Sequence, residues 1–360
     1  MAFLKKIDRY ILKNFLVTFA ALLIAFAAIA IVIDFTEKVN DFVNKKVSVI
    51  EILQYFQNFI PYILALLFPV FIFVAVIFFT SKLANRSEII AILSSGVSFK
   101  RFLRPYIFGA ALISFTLYVA NHYIIPVANR NRIEFEEKYL WDKSYSKDDN
   151  FHMRIGPNEY IYMQSYNPES QTGYRFSYEK VQGTKLIQKI TADRITFDST
   201  KKEWKLFDAI ARNNNGPLES MIAFPDVYKK FSFKPTDLIE RREIKQIMTA
   251  PQLNAYIQKE LNKGSENLNE YFIEKYRRTA APFSAFVLSI IGACIASRKV
   301  RGGSGIHLAI GLMLSAAYIF LMQFSTTFSV KGNLHPLIAV WIPNIIFSFI
   351  AYLIYRRYSK

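Results

Sequence analysis

The chain contains very little cysteine and histidine, with one Cys and four His among 360 residues. A single cysteine excludes an intrachain disulfide, so any exported part must be stabilised by its own core. Cys294 lies inside an apolar run, and we interpret it as a packing residue rather than a redox group. The histidines have neither the paired spacing nor the cysteine neighbours of a metal site. We therefore predict no metal centre and no cofactor bound by this chain.

Nucleotide-binding and ion-coupling residues are also missing. No G-x-x-x-x-G-K-[ST] motif occurs, and the glycine-rich residues 301–305 lack the lysine and following hydroxyl that would hold phosphates. The centres of the long apolar runs carry no Asp, Glu, Lys or Arg, which a proton or ion pathway would need. His122 and His307, near span ends, are expected to make interfacial or intrahelical hydrogen bonds rather than to contact a ligand. The energy for any transport must then come from a partner.

What the chain has in abundance is apolar sequence in long uninterrupted runs. Each run can supply the ~20 residues that cross a bilayer as a helix. We predict six spans, near 12–34, 58–80, 105–126, 279–298, 305–328 and 335–356. Basic residues precede the first run, but its apolar core exceeds the ~7 to 15 residues usual for a signal peptide, so we expect an uncleaved span.

Basic residues outnumber acidic ones by 45 to 28, and their placement predicts the topology. The segments 1–13, 82–104, 298–301 and 356–360 together hold 15 Lys or Arg against only Asp8 and Glu88. This is the positive-inside pattern, which places both termini in the cytoplasm and residues 129–278 outside it. Most of the +17 charge is thereby explained, and no nucleic-acid partner is expected.

Between the third and fourth spans the sequence changes to strand patterns separated by turn residues. We predict strands within 158–166, 173–181, 184–198, 203–211 and 226–233, forming an antiparallel sandwich or open barrel. A capped helix begins near Thr249 to Gln252 and ends near Gly264, and a second helix then leads into the fourth span.

The expected fold is thus a polytopic α-helical membrane protein with six transmembrane helices and an inserted all-β domain. The predicted divisions are 1–128 (first three spans), 129–248 (β-domain), 249–278 (helical return) and 279–360 (last three spans).

Residues 83–96, LANRSEIIAILSSG, read as a short helix on the cytoplasmic side. Asn85 is expected to cap it in a capping box with Glu88, and Gly96 to end it. Ile89, Ile90, Ile92 and Leu93 give it an apolar surface that could lie on lipid or fill a groove on a protein. One arginine is few for a lipid-lying helix, which favours a protein partner.

Several motifs resemble those of the LptF/LptG (YjgP/YjgQ) permease family across essentially the whole chain. They are Asp8-Arg9-Tyr10, Asn85-Arg86-Ser87-Glu88 through Ser95-Gly96, Pro126, Glu203-Trp204-Lys205-Leu206, His335-Pro336-Leu337 and Trp341-Ile342-Pro343-Asn344. The first and last of these look more like the G than the F subunit.

The resemblance implies a non-catalytic permease subunit in the bacterial inner membrane. Its partners would be a cytoplasmic ABC ATPase dimer (LptB-like) that binds ATP and Mg, a second LptF/LptG-type permease, and a periplasmic bridge protein (LptC/LptA-like). The cargo would be lipopolysaccharide, entering beside the first and fifth spans, and the β-domain would be a periplasmic jellyroll. The helix near 85–95 would be the coupling helix. Its expected ATPase contacts are Arg86, Ser87, Glu88, Ile89, Ile92 and Leu93.

Basic residues near the outer membrane interface are candidates for contact with the phosphorylated headgroup. By resemblance these are Arg130 and Arg132, together with Lys38, although such residues also anchor helix ends at lipid headgroups. Asp34 stands where relatives can have a lysine, so Lys38, a different headgroup or a second permease must compensate for its charge. Two other functions remain open: a membrane scaffold that tethers periplasmic β-domain proteins, and an ABC permease for another lipid.

Overall fold

The computed structural model describes residues 5–140, 150–167, 170–214, 219–238, 244–262, 268–300, 304–332 and 334–358. The chain forms two compact units. One is a helical bundle built from Met1–Leu140, Lys245–Asn254 and Asn269–Lys360. The other, Trp141–Ile244 with Ala255–Leu268, contains the β-sheet.

The bundle consists of long helices, several of them longer than a membrane is thick. Its elements are α1 (Lys6–Asn44), α2 (Val49–Leu66), α3 (Phe68–Asn85), α4 (Glu88–Ser94), α5 (Phe99–Val119), a π-helical turn (Ala120–Ile124), α6 (Ile125–Tyr139), α10 (Asn269–Ala296), α11 (Ser304–Lys331) and α12 (Pro336–Tyr358). Helix α1, with 39 residues, is about 58 Å long, against a hydrocarbon thickness of about 30 Å.

Seven helical stretches in the described residues are long and apolar enough to cross a membrane. Two of them, α2 and α3, are separated only by Leu67 and lie antiparallel to α1 as one broken element. The partners along α1 show this, since Phe42 contacts Tyr55, Phe26 contacts Phe71 and Tyr10 bonds Glu88. Counting α2 and α3 together leaves six crossings, and the predicted fold class is confirmed.

Helices α3 and α10 form the centre of the bundle and join its two halves. Helix α10 packs against α3, α5 and α12, and α11 packs against α3. Small residues allow the close approach that van der Waals packing between membrane helices needs. A Cβ added at Gly292 would lie 3.1 Å from Val76 Cγ1, so the Val76 side chain of α3 packs directly on the backbone of α10 there. The spans before and after the insertion therefore share one core.

Pro343 in α12 is accommodated by a side chain from the neighbouring helix α11. Pro343 leaves the carbonyl of Ala339 without its helical donor, and the Ser325 hydroxyl donates to that oxygen. The buried amide of Asn344 donates to the Ala280 carbonyl at 2.8 Å and accepts from the Tyr318 hydroxyl at 2.9 Å. These bonds connect α10, α11 and α12.

The β-domain is one antiparallel sheet in which consecutive strands pair, with one exception. Its strands are β1 (Phe151–Gly156), β2 (Glu159–Met163), β3 (Ser165–Asn167), β4 (Thr172–Gln182), β5 (Lys185–Asp198), β6 (Glu203–Asn214) and β7 (Glu219–Lys229). The order is β1-β2-β4-β5-β6-β7, with β3 paired to β4, so that β2 pairs with β4 and not with β3. The described strands hydrogen-bond into a single continuous sheet.

One apolar cluster, built on the inward-facing side chains of β2, β4, β5 and β6, is the core of this domain. Trp204 is 1% exposed at its centre, and its indole nitrogen donates to the Phe233 carbonyl at 3.1 Å. The sheet is followed by α7 (Pro235–Leu238), α8 (Ile244–Ile247) and α9 (Ala250–Asn262). The predicted capped start of α9 is confirmed, since the Gln252 side chain accepts from Thr249 N at 3.0 Å. The predicted end near Gly264 lies outside the described residues.

Candidate functional site

The first candidate site is α4, at the end of the bundle that carries both termini. Its predicted capping box is wrong: Asn85 is the last residue of α3, and the residue before α4 is Ser87, with a left-handed φ of 59° and no side-chain cap. Arg86 and the left-handed Ser87 separate Asn85 from the first residue of α4, so Asn85 is not in the N-cap position. Gly96, with a φ of 85°, follows α4 as predicted.

The apolar side chains of α4 point in different directions. Ile89 is 1% exposed and belongs to the bundle core, and Ile92 and Leu93 are half-buried. Ile90 is 59% exposed, and Arg86 and Ser87 are also exposed. Ile89 thus anchors α4 to the bundle, while Ile90 presents an apolar side chain outward. Ile90 was not among the predicted contacts, because a one-turn pattern does not determine which isoleucine faces the core.

Glu88, the acidic residue of α4, contacts two other side chains of the same protein. Glu88 accepts from the Tyr10 hydroxyl at 3.3 Å and lies 3.9 Å from Arg86, and its side chain keeps 32% exposure. Near it, Asp8 at the start of α1 lies 3.9 Å from Arg101 of α5. Helix α4 is consequently connected to α1 through a side chain as well as to α3 through the backbone, so a force on α4 reaches both.

The second candidate site contains the predicted headgroup residues Lys38 and Arg132, at the opposite end of the bundle. Lys38 Nζ lies 2.7 Å from Asp34 and 3.5 Å from Glu136. Arg132 Nη1 lies 2.8 Å from both oxygens of Glu136. The Tyr55 hydroxyl lies 3.0 Å from Asp34 and 3.2 Å from Glu136 and can donate to one at a time. We call Asp34, Lys38, Tyr55, Arg132 and Glu136 the α1–α2–α6 ion network.

This network has two positive and two negative members, so it is formally neutral. Its Arg132 and Glu136 side chains are 8% and 9% exposed. The compensation for Asp34, which the sequence left open, is provided here by Lys38. Neither Glu136 nor Tyr55 is among the residues predicted from the sequence. The i, i+4 spacing of Asp34 with Lys38 and of Arg132 with Glu136 is a signal for two internal ion pairs.

Arg130, the third predicted headgroup residue, is not part of that network. Its Nη2 donates to the Ile247 carbonyl at 3.1 Å and to Gln252 Oε1 at 2.9 Å. Neighbouring Asn129 donates to Gln246 Oε1 at 3.2 Å. From α10, Arg278 donates to the carbonyls of Met248 at 2.7 Å and Lys245 at 2.9 Å. Residues 245–252, which we call the return segment, are therefore bonded to both α6 and α10.

The described residues contain no group of three or more His, Cys, Asp or Glu arranged to hold a metal ion. His122 lies in the π-helical turn, with Nδ1 2.8 Å from the Tyr118 carbonyl. That contact confirms the predicted hydrogen bond for His122, whereas the prediction is wrong for His307, whose buried Nδ1 has no hydrogen-bond partner among the described residues.

A comparison with protein families agrees with the motifs and with the fold. The chain matches the family described as lipopolysaccharide export system permease LptF/LptG over residues 9–357, which is nearly its whole length. No curated protein matches the chain. Six membrane crossings interrupted by a β-domain, with a match from the start of the first span to the end of the last, establish that the chain belongs to the LptF/LptG permease family, the permease of the lipopolysaccharide export system of the inner membrane.

Proposed function

We propose that this chain is one permease subunit of an ATP-driven exporter that extracts lipopolysaccharide from the inner membrane. A second permease of the same family would complete the cavity, and a periplasmic bridge protein would receive the lipid. The positive-inside charge pattern supports cytoplasmic termini and a periplasmic β-domain. The chain itself would be non-catalytic, with ATP and Mg bound by a separate cytoplasmic ATPase dimer.

The structure and exposure of α4 are the main support for this proposal. It is short, it is anchored through Ile89 in the core, and it exposes Ile90 beside Arg86 at the end with the excess of basic residues. An exposed isoleucine on a rigidly held helix suits insertion into an apolar groove of a soluble partner. Its attachment to α1 and α3 would transmit the partner's movement to two spans.

The proposal predicts that Ile90→Asp prevents recruitment of the ATPase. An aspartate in an apolar groove is desolvated without a partner, so we expect at least a tenfold loss of binding, corresponding to about 1.4 kcal/mol or more. The measurement is copurification of the ATPase with the permease pair, together with lipopolysaccharide-stimulated ATP hydrolysis in proteoliposomes. Ile7→Asp, which is 43% exposed at the start of α1, is the matched control. Equal recovery of the ATPase with both variants would contradict this role for α4.

We propose that Arg130, rather than Lys38 or Arg132, contacts the lipid headgroup. Within the described residues the two partners of Arg130 are neutral oxygens, whereas Lys38 and Arg132 already bond carboxylates. A phosphate would have to displace those carboxylates, which costs most of what it gains. Photocrosslinking to lipopolysaccharide beside the first and fifth spans should therefore fall more for Arg130→Gln than for Lys38→Gln. The reverse order would assign the headgroup to the α1–α2–α6 ion network.

A further inference from the structure

A cavity of about 200 Å³ lies between helices of the bundle. Its walls come from α2, α3, α5, the π-helical turn, α6, α10 and α11, and Gln246 of the return segment lines it as well. Leu117, Ile319 and Met322 are among its apolar lining residues. An apolar cavity of ~150 Å³ already holds a small hydrocarbon, so this one has room for part of an acyl chain.

Helix irregularities and prolines surround the cavity. Helix α2 ends at Leu66, close to Pro69, the π-helical turn precedes Pro126, and Pro282 lies inside the continuous helix α10 between the lining residues Ala281 and Ser284. Such irregularities prevent neighbouring side chains from packing as closely as regular helices do. A π-helical turn inside a long helix is also common at functional sites.

The charged residues that line the cavity leave it with one excess positive charge. They are Glu274, Arg277 and Arg278. Arg277 and Arg278 share the single carboxylate of Glu274, at 2.5 and 3.0 Å. The remaining nitrogens of Arg278 donate to backbone carbonyls, and its side chain is 4% exposed. Arg277 is 42% exposed, so the uncompensated charge lies where the cavity meets the surface.

We propose that this cavity binds the end of one acyl chain of an anionic phospholipid whose phosphate bonds Arg277. The apolar part of the wall, which includes Leu117, Ile319 and Met322, contacts the chain, and the excess charge selects an anionic over a zwitterionic headgroup. The volume admits part of one chain, whereas the exported glycolipid has several, so the cavity is too small to hold that glycolipid. The inference does not rest on the proposed function, because lipid binding here requires neither ATP nor a transport cycle.

The test uses the permease complex in nanodiscs that contain phosphatidylglycerol with a photoreactive acyl chain. Crosslinks are mapped by mass spectrometry and expressed relative to Phe320, which is 71% exposed and samples bulk lipid in every variant. We expect labelling of Leu117, Ile319 and Met322 several-fold above that from photoreactive phosphatidylcholine. Arg277→Gln should reduce this preference about tenfold, because it removes a hydrogen bond between charged groups.

Ala281→Phe fills the cavity and should remove the same crosslinks, whereas Ala316→Phe on the exposed face of α11 should leave them unchanged. If Ala281→Phe does not fold, the headgroup preference of the Arg277→Gln protein decides alone. Equal labelling by the two headgroups, or crosslinks that persist when the cavity is filled, would overturn the proposal. So would labelling by photoreactive lipopolysaccharide in place of phosphatidylglycerol.

Discussion

Individual charged side chains fix the geometry of the bundle where α1, α2 and α6 meet. Arg132 and Glu136 form an ion pair that is almost fully buried, in which Nη1 contacts both carboxylate oxygens, and the guanidinium lies 4.3 Å from the centre of the Tyr62 ring. A buried pair adds little net stability relative to an apolar pair of the same volume, but removing one partner leaves an uncompensated buried charge. Replacing both residues with apolar ones should therefore change the stability little, whereas replacing only one should destabilise the protein.

This asymmetry gives a direct test. Glu136→Ala should lower the free energy of unfolding by about 3–5 kcal/mol, because Arg132 then remains buried without its carboxylate. Thermal unfolding of the detergent-solubilised protein measures the loss. Glu134→Ala, at an exposed position of the same helix, should change little, and the double variant Arg132→Met/Glu136→Leu should recover most of the stability. A double variant as unstable as Glu136→Ala would show that the charges themselves are required.

At the scale of helices, close packing depends on a few small residues. A Cβ added at Gly109 of α5 would lie 2.7 Å from two ring atoms of Phe15, and that ring is 0% exposed and cannot move aside. Gly109→Ala should therefore separate α1 from α5 and cost about 1–3 kcal/mol. Gly305→Ala, where no atom lies within 4 Å of the new Cβ, is the control in the same unfolding assay. Equal stability of both variants would contradict the close approach.

The sequence predicts the membrane-spanning helices better than their ends. Apolar runs identify the six crossings, because burial in hydrocarbon requires them. The final turns of α1, from Phe35 to Asn44, are too polar to be counted as membrane, yet the helix continues because α2 and α6 pack against it. The start of α4 was misplaced because a capping motif is common outside helix starts. Long-range partners such as Glu136 for Lys38 depend on tertiary packing, which local patterns do not encode.

For the whole molecule, the chain leaves the bundle after α6 and re-enters it through the return segment. Three polar side chains of the bundle bond that segment: Asn129, Arg130 and Arg278. Lys245 in turn pairs with Glu270 at the start of α10. The return segment is consequently an ordered part of the bundle rather than a free linker.

Arg278 contributes most to this attachment, because it donates to two carbonyls and is itself buried. Arg278→Met keeps the volume but removes both bonds, each worth about 1.5–3 kcal/mol when the donor is charged. Backbone amides of residues 244–252 should then exchange with deuterium at least tenfold faster, while α3 and the core of the β-sheet keep their protection. Arg357→Met, at the exposed end of α12, should leave every peptide unchanged. If hydrogen exchange in the return segment is unchanged, packing alone holds the segment in place. If exchange becomes faster across the whole bundle, Arg278 stabilises the fold as a whole and not this attachment in particular.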